Sequence, residues 1–459
     1  MNDSRMHLRL LFAVVALFLA AAACADSADE RPDPASGPQA AFDPAPTPIP
    51  DRIILTWSGD PETTQTVTWR TSAGVLTAYA EIAPATASPH FFENALRQQA
   101  TTVALDTNTG SAHYHSVEFR DLAPNTLYAY RVGGDQGWSE WFQFRTAGAG
   151  GPFSFIFLGD AQNNLLAFWS RAIRAAYAAA PQARFMLHPG DLVSHGDDDA
   201  QWGAWFRAGG WIHAMLPSIP ATGSHEYLSL AGKLGPLTRH WRAQFGLPEN
   251  GVPGLEEINY FIDYQGVRIV VLDSYRELHA QAAWLDSVLS DKPQRWTIAA
   301  FHDPIYSGSR GRDNPELREL WKPVLEKRGV DLVLQGHDHV YARGRAPARS
   351  GEAQGAAGGA ASQAGARAGA GTGQTGPVYV ISVSGPKMYE PTDNRWMDRL
   401  GVDLQLFQII TVGQDTLHYE ARTVTGECFD AFNLIKQEGM GARLEEIPCA
   451  QVSGGGSED

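Results

Sequence analysis

Between residues 51 and 147 the chain is written in short runs of β character: RIILTW, TQTVTWRT, AYAEIA, TTVALD, YHSVEFRDL, LYAYRVGG and WFQFRT. Turn residues separate them and no helical period intervenes, which predicts an antiparallel β-sandwich of about seven strands. At Gly151 the pattern changes. FSFIFLGD and RFMLHPGD are apolar runs that end in Gly-Asp, and a helical period over 165–180 follows the first and stops at Pro181. Farther on come a hairpin-like pair (INYFIDYQGVRIVVLDS), a helix over 279–290, the strand RWTIAAFHD, a helix over 315–328 and the strand DLVLQGHDH. Strands alternating with helices predict an α/β domain that delivers polar residues at its strand ends. PVYVISVSG, LQLFQIITV and TLHYEARTV then predict a closing antiparallel layer.

The remaining segments do not belong to this pattern. Residues 345–376 are almost wholly Gly, Ala, Ser and Gln; they cannot pack a core and are expected to form a flexible surface insertion. Residues 24–50, rich in Pro, Ala and Asp, form a tether, and residues 425–459 a C-terminal tail. In residues 1–23, Arg5 and Arg9 precede LLFAVVALFLAAAA, an apolar run too short for a comfortable membrane span, which marks an export signal. Ala21-Ala22-Ala23-Cys24 resembles a bacterial lipoprotein signal, with Ala21 where Leu is usual. The resemblance implies a lipid anchor at Cys24 as the one membrane contact. The expected location is the bacterial periplasm, as an anchored lipoprotein or a secreted protein. The other cysteines, Cys428 and Cys449, then become candidates for a disulfide closing the tail, with two free thiols as the alternative.

Charge removes further classes. The chain has 459 residues, 36 Lys+Arg and 51 Asp+Glu, for a net charge of −15. Loss of Asp3, Arg5 and Arg9 with the signal makes it 34 − 50 = −16. No basic excess is present to neutralise nucleic acid. With 3 cysteines there is neither a disulfide scaffold nor a Cys-rich zinc module.

The chemistry lies in five phrases at predicted strand ends: Gly159-Asp160-Ala161-Gln162, Gly190-Asp191, Gly223-Ser224-His225-Glu226, Phe301-His302-Asp303 and Gly336-His337-Asp338-His339. A Gly-Asp pair alone is most often a turn, and a lone strand-end His is more often structural. Two histidines at i, i+2 after a buried strand and a Gly can both reach one metal, and oxygen with imidazole donors suits Zn, Mn or Fe. The order of all five resembles the metallophosphoesterase (calcineurin-like) superfamily. Gly-His-Asp-His-Val-Tyr-Ala-Arg (336–343) is similar to the purple acid phosphatase version, and PDRIILTWSGDPETTQTVTW to the start of that branch's N-terminal domain. LAPNTLYAY resembles the corner of fibronectin type III domains.

The resemblance implies an α+β/α/β two-domain chain. A fibronectin III-like β-sandwich (51–147) precedes an α/β metallophosphoesterase sandwich (151–424) of two mixed sheets flanked by helices. It also implies two divalent or trivalent metal ions drawn from Fe, Zn and Mn. Asp160, Asp191 and His339 hold one and Asp191, His302 and His337 the other, with Gln162 and Ser224 as further ligands. A hydroxide bridging the metals attacks phosphorus, and His225 assists catalysis beside the bridging Asp191. The chain departs from the family at three places. Gln162 stands for the wider superfamily's His and Ser224 for the usual Asn ligand. Ser194 stands for the tyrosine of purple acid phosphatases, so no iron(III) charge-transfer colour is expected.

Weaker candidates surround these. His188 and His195 flank Asp191, and Asp303 and Asp338 are candidates for orienting neighbouring ligands. Tyr227 is expected as a core or rim aromatic, and Trp202, Trp205 and Trp211 as core and interdomain packing. The expected activity is that of a metal-dependent phosphoric-ester hydrolase, an acid-phosphatase-like phosphomonoesterase acting on small phosphate esters. A phosphodiesterase on the same site is the enzymatic alternative, and a surface-tethered binding protein with a decayed metal site the non-enzymatic one.

Overall fold

The computed structural model describes residues 42–290, 294–345, 376–393, 396–436 and 441–449. The expected export signal, Cys24, most of the tether and most of the Gly/Ala insertion lie outside these residues.

The N-terminal strands are β1 (Asp51–Thr56), β2 (Gln65–Ser72), β3 (Tyr79–Pro84), β4 (Leu96–Gln99), β5 (Thr101–Thr107), β6 (Gly110–Phe119), β7 (Leu127–Gly134), β8 (Gly137–Trp138) and β9 (Phe142–Arg145). One sheet runs β1-β2-β6-β5; the other runs β4-β3-β7-β8, with β9 on the free stretch of β7. Alternate residues of each strand face inward. Val67 and Trp69 of β2, Val117 and Phe119 of β6, Tyr128, Tyr130 and Val132 of β7, and Phe142 and Phe144 of β9 meet in one core. The strand β4 carries no inward apolar set and is exposed throughout, so it has no strand signal in the sequence.

The second part contributes β10 (Phe153–Phe157), β11 (Met186–His188), β12 (Ser218–Pro220), β13 (Tyr227–Leu230), β14 (Lys233–Leu237), β15 (Tyr260–Tyr264), β16 (Val267–Val271), β17 (Trp296–Ala300) and β18 (Leu332–Gln335). It continues with β19 (Tyr341–Arg345), β20 (Val378–Ile381), β21 (Met397–Gly401), β22 (Leu406–Val412), β23 (Thr416–Thr423), β24 (Cys428–Ile435) and β25 (Arg443–Glu446). Two mixed sheets result, β12-β11-β10-β22-β23-β24-β25 and β15-β16-β17-β18-β20-β19-β21. In the second sheet Ile269, Val271, Ile298, Ala300 and Leu334 enter the core shared with the first sheet. Their neighbours Val270, Ala299, Phe301 and Val333 pack beneath the helices Leu278–Val288, Pro315–Leu320 and Lys322–Lys327. Burial on both faces explains why these strands read as unbroken apolar runs.

Several expectations need correction. The expected closing antiparallel layer is divided. β20 lies parallel to β18 in the second sheet, whereas β22 and β23 join the first beside β10. Residues after 424 are not merely a tail, since β24 and β25 extend the first sheet and Cys428 is bonded to Cys449, with a Cα–Cα distance of 5.4 Å. Buried Arg343 of β19 grips Asp430 and Glu446 at 2.7 and 2.8 Å and so ties the two sheets together. The expected helix over 315–328 is two helices meeting at Trp321, where Pro323 removes a backbone donor. The helix over 165–180 begins as a π turn, Leu165–Trp169, before Ser170–Ala179. Trp202 and Trp205 are core residues, but Trp211 is 50% exposed and lies edge-on to Tyr177.

The two parts join through Asp199, a fully buried carboxylate. It takes Arg52 at 2.7 Å and Arg70 at 3.0 Å from the sandwich, and His240 at 3.2 Å from its own side.

Candidate metal centre

All five phrases leave the carboxyl ends of parallel strands, where open α/β sheets gather their ligands. Asp160 follows β10, Asp191 follows β11, Ser224 and His225 follow β12, His302 follows β17, and His337 and His339 follow β18. Asp160 also forms a parallel bridge with Val383, so the two sheets meet at the site. Two glycines allow the approach. A Cβ on Gly336 would lie 2.0 Å from Asp160 Oδ1, and one on Gly190, at φ +108°, would lie 2.4 Å from the Gly223 nitrogen. Asp191, His337 and His339 take φ of 50°, 71° and 47°, a left-handed conformation that costs free energy and concentrates at functional sites.

Two ligand groups form side by side. Asp160, Asp191 and His339 place one donor atom each within 4.8 Å of one another, and so do His302, Asp303 and His337. His339 Nε2 stands 3.1 Å from Asp160 Oδ2, and His302 Nε2 stands 3.0 Å from Asp191 Oδ2 and 4.0 Å from Asp160 Oδ2. The far nitrogens fix the ring orientations. His302 Nδ1 is 3.0 Å from the Pro189 carbonyl and His339 Nδ1 is 2.9 Å from that of Lys387, which leaves each Nε2 facing the carboxylates. The His337 backbone nitrogen donates to both Asp160 oxygens at 3.0 Å.

The pocket is electrostatically polarised. Burial opposes ionisation of Asp191, yet His302 and His225 hold its carboxyl far below the usual range. Burial likewise opposes a charged His302, but Asp191 and Asp160 lift it to about 10. His337 is driven well below its usual value by burial and by the Arg312 guanidinium. These donors fit a cation. Among the described residues, fully buried His302 has its Nε2 in no well-formed hydrogen bond and the buried Gln162 Oε1 has no hydrogen-bond partner. Orphaned atoms of this kind are costly unless something else satisfies them.

The remaining expected residues divide. Gln162 reaches the first group, but its nitrogen faces inward, 2.9 Å from Asp191 Oδ2 and 3.4 Å from His339 Nε2. Ser224 opens the turn Ser224–Glu226, and its hydroxyl has no hydrogen-bond partner among the described residues. His225 lies at the mouth. Its backbone donates to Asp191 Oδ1 at 2.9 Å, its Nδ1 is 2.6 Å from the Ser194 carbonyl and its Nε2 is 3.9 Å from Asp191 Oδ2. The Ser194 hydroxyl donates to Asn163. His188 is buried among Trp169 and Trp205, and His195 is exposed. Tyr227 is buried and donates to Asp273. Asp338 turns away from the ligands and takes Ser307 Oγ at 2.9 Å and the amides of Gly308 and Ser309 at 2.5 and 3.1 Å.

Sequence reasoning missed three residues. Glu226, inside the third phrase, accepts from the amides of Asp191, Leu192 and Gly223 at 2.9, 2.8 and 2.7 Å, clamping two strand ends together. Arg312 lies 2.8 Å from His337 Nε2 and stacks on the Tyr389 ring, which itself covers His339. Arg312 and Tyr389 come from loops that carry no motif; they are linked by the amide of Arg310 on the Glu390 carbonyl at 3.1 Å and that of Thr392 on the Gly308 carbonyl at 2.9 Å.

Residues 50–146 match the family model described as Purple acid Phosphatase, N-terminal domain, and residues 153–341 match Calcineurin-like phosphoesterase. Over 247 residues the chain is 28% identical to the probable purple acid phosphatase 20 of Arabidopsis thaliana, covering 51% of this chain and 56% of that one. It is 26% identical over 255 residues to Fe(3+)-Zn(2+) purple acid phosphatase 12 of the same organism, covering 51% and 53%. The chain thus spans about half the length of these curated relatives. Purple acid phosphatase PPD1 from yellow lupin (Lupinus luteus) seeds shares the fold, with a TM-score of 0.69 at 19% identity, covering 85% of this chain and 75% of that one. The chain thus carries in order a stretch that matches the purple acid phosphatase N-terminal domain and one that matches the calcineurin-like phosphoesterases, and it is similar in this to the purple acid phosphatase-like branch of the metallophosphoesterases.

Proposed function

We propose that the chain is a metal-dependent phosphoric-ester hydrolase acting on small phosphomonoesters. The observation that carries this reading is the pair of adjoining carboxylate–imidazole groups, with Asp191 in contact with His302 of the second group and with His225 at the mouth. Asp160, Asp191 and His339 would hold one ion, and His302 and His337 with Asp191 the other. Iron with zinc, named for the Arabidopsis relative, is one candidate pair, with manganese as an alternative. Bound there, two cations supply a low-pKa water and neutralise phosphoryl charge.

The chain's own residues do the rest. Arg312 presents a guanidinium to a non-bridging phosphoryl oxygen, which suits its planar fork. His225, with Nδ1 engaged by the Ser194 carbonyl, keeps Nε2 available to pass a proton to the leaving alkoxide. The tilted packing of Tyr389 on His339 shields one wall from water.

The reading extends to location. The leader of residues 1–23, followed by Cys24, supports export, with lipid anchoring and a periplasmic or extracellular site, and the Cys428–Cys449 disulfide suits such an oxidising compartment. Metal analysis paired with p-nitrophenyl phosphate and bis-p-nitrophenyl phosphate assays over added Zn, Mn and Fe tests the function. Turnover of the monoester is expected. Turnover of the diester alone would overturn the monoesterase reading, and neither metal nor turnover would leave the binding-protein alternative.

A further inference from the structure

We propose that Asp303 is a ligand of the second cation and supplies the donor that Ser224 provides only weakly. The inference rests on the metallohydrolase reading above. His302, Asp303 and His337 converge to within 4.8 Å, and fully buried His302 has its Nε2 in no well-formed hydrogen bond, 3.0 Å from Asp191 Oδ2. Asp303 is held for this purpose by its surroundings. Its amide donates to Ser274 Oγ at 3.0 Å, its carbonyl accepts from Gln335 at 3.2 Å, and the Tyr275 hydroxyl donates to Oδ1. Oδ1, which accepts the Tyr275 hydroxyl, also lies 3.5 Å from His337 Nδ1, and a carboxylate oxygen has lone pairs for both a hydroxyl and a cation. Ser224 offers a neutral hydroxyl on a half-buried turn, a poorer donor than a carboxylate.

The consequence is a particular donor set. Two imidazoles with the carboxylates of Asp303 and Asp191 give the second position two negative charges, a set that favours iron or manganese over soft ions. The competing role for Asp303 is orientation of His337 from behind, since its Oδ1 lies 3.5 Å from His337 Nδ1.

The test uses the full chain loaded with metal: wild type, Asp303→Ala, the nearly isosteric Asp303→Asn, and Ser224→Ala. Metal per chain is measured by plasma emission, and the Co(II) absorption spectrum is recorded at saturating cobalt. Asp303→Ala should bind the second ion at least tenfold more weakly and show an altered Co(II) spectrum, while Ser224→Ala should keep the ion and weaken its binding far less. If Asp303→Ala does not fold, Asp303→Asn should show the same two changes to a smaller extent. An unchanged Co(II) spectrum in both Asp303 variants assigns the residue to orientation and overturns the proposal, as does a lost ion in Ser224→Ala. A wild-type chain that binds no metal removes the underlying reading as well, which separates the two failures.

Discussion

Asp191 is contacted from every side that the site offers. Gln162 and the His225 amide donate to it, His302 faces it, and Glu226 holds its backbone in a left-handed turn. The His225 imidazole stands 3.9 Å from it, at the edge, and the amide contact survives side-chain replacement, so the two residues separate in mutagenesis. His225→Ala should lower kcat about 10²–10⁴-fold, the usual contribution of a positioned proton donor, with metal content unchanged in plasma emission. Arg312 is separable in the other sense. Arg312→Gln should raise KM for a monoester roughly 10–100-fold, the worth of a charge-assisted hydrogen bond of about 1.5–3 kcal/mol, and should weaken inhibition by inorganic phosphate in parallel. An unchanged phosphate affinity would show that Arg312 only braces His337. Asp160, Asp191, His225, His337 and His339 were legible because each closely follows a glycine after a strand, and His302 because it ends an apolar one. Arg312 and Tyr389 were not, because their position depends on two loops that meet only in three dimensions.

Among elements, the strands with alternating or doubly buried patterns were the legible ones, since burial writes itself into the sequence. The exposed β4 and the two-residue β8 bury too little to leave a trace. Sheet membership is a different matter. β20, β22 and β23 all read as strands, yet nothing in their composition says which sheet receives them; that depends on where β18 and β10 leave an open edge. The disulfide belongs to this scale, because it closes a 21-residue separation across β24 and β25. Cys449→Ser should cost about 3 kcal/mol by loop entropy, read as a lowered denaturation midpoint that reducing agent reproduces in the wild type. An equal midpoint with and without reductant would mean that the β24–β25 pairing holds the end unaided.

At the scale of the whole molecule, buried histidines tie stability to pH. Burial lowers His188 and His213 to about 3 and His115 to about 4, from an ordinary value of 6.5. Each is therefore neutral when folded and takes up a proton on unfolding below 6.5. Their contribution is fully present above that pH and is lost progressively as the pH falls toward 3–4. Urea denaturation should show stability decreasing from about pH 7 to pH 4, and His213→Phe, set between Trp205 and Trp169, should flatten the slope. A slope identical to wild type would place the acid sensitivity elsewhere. The junction through Asp199 couples the two parts, because undocking would remove Arg52 and Arg70 from its buried charge and leave it His240 from its own side.

Arg345 and Val378 are register partners on neighbouring antiparallel strands. Whatever lies between them therefore departs from and returns to one spot, at the end of β19 remote from His339. That makes the junction a natural cassette: a short turn, a peptide tag or a whole reporter domain with closely spaced termini can replace the Gly/Ala stretch without moving either flanking strand.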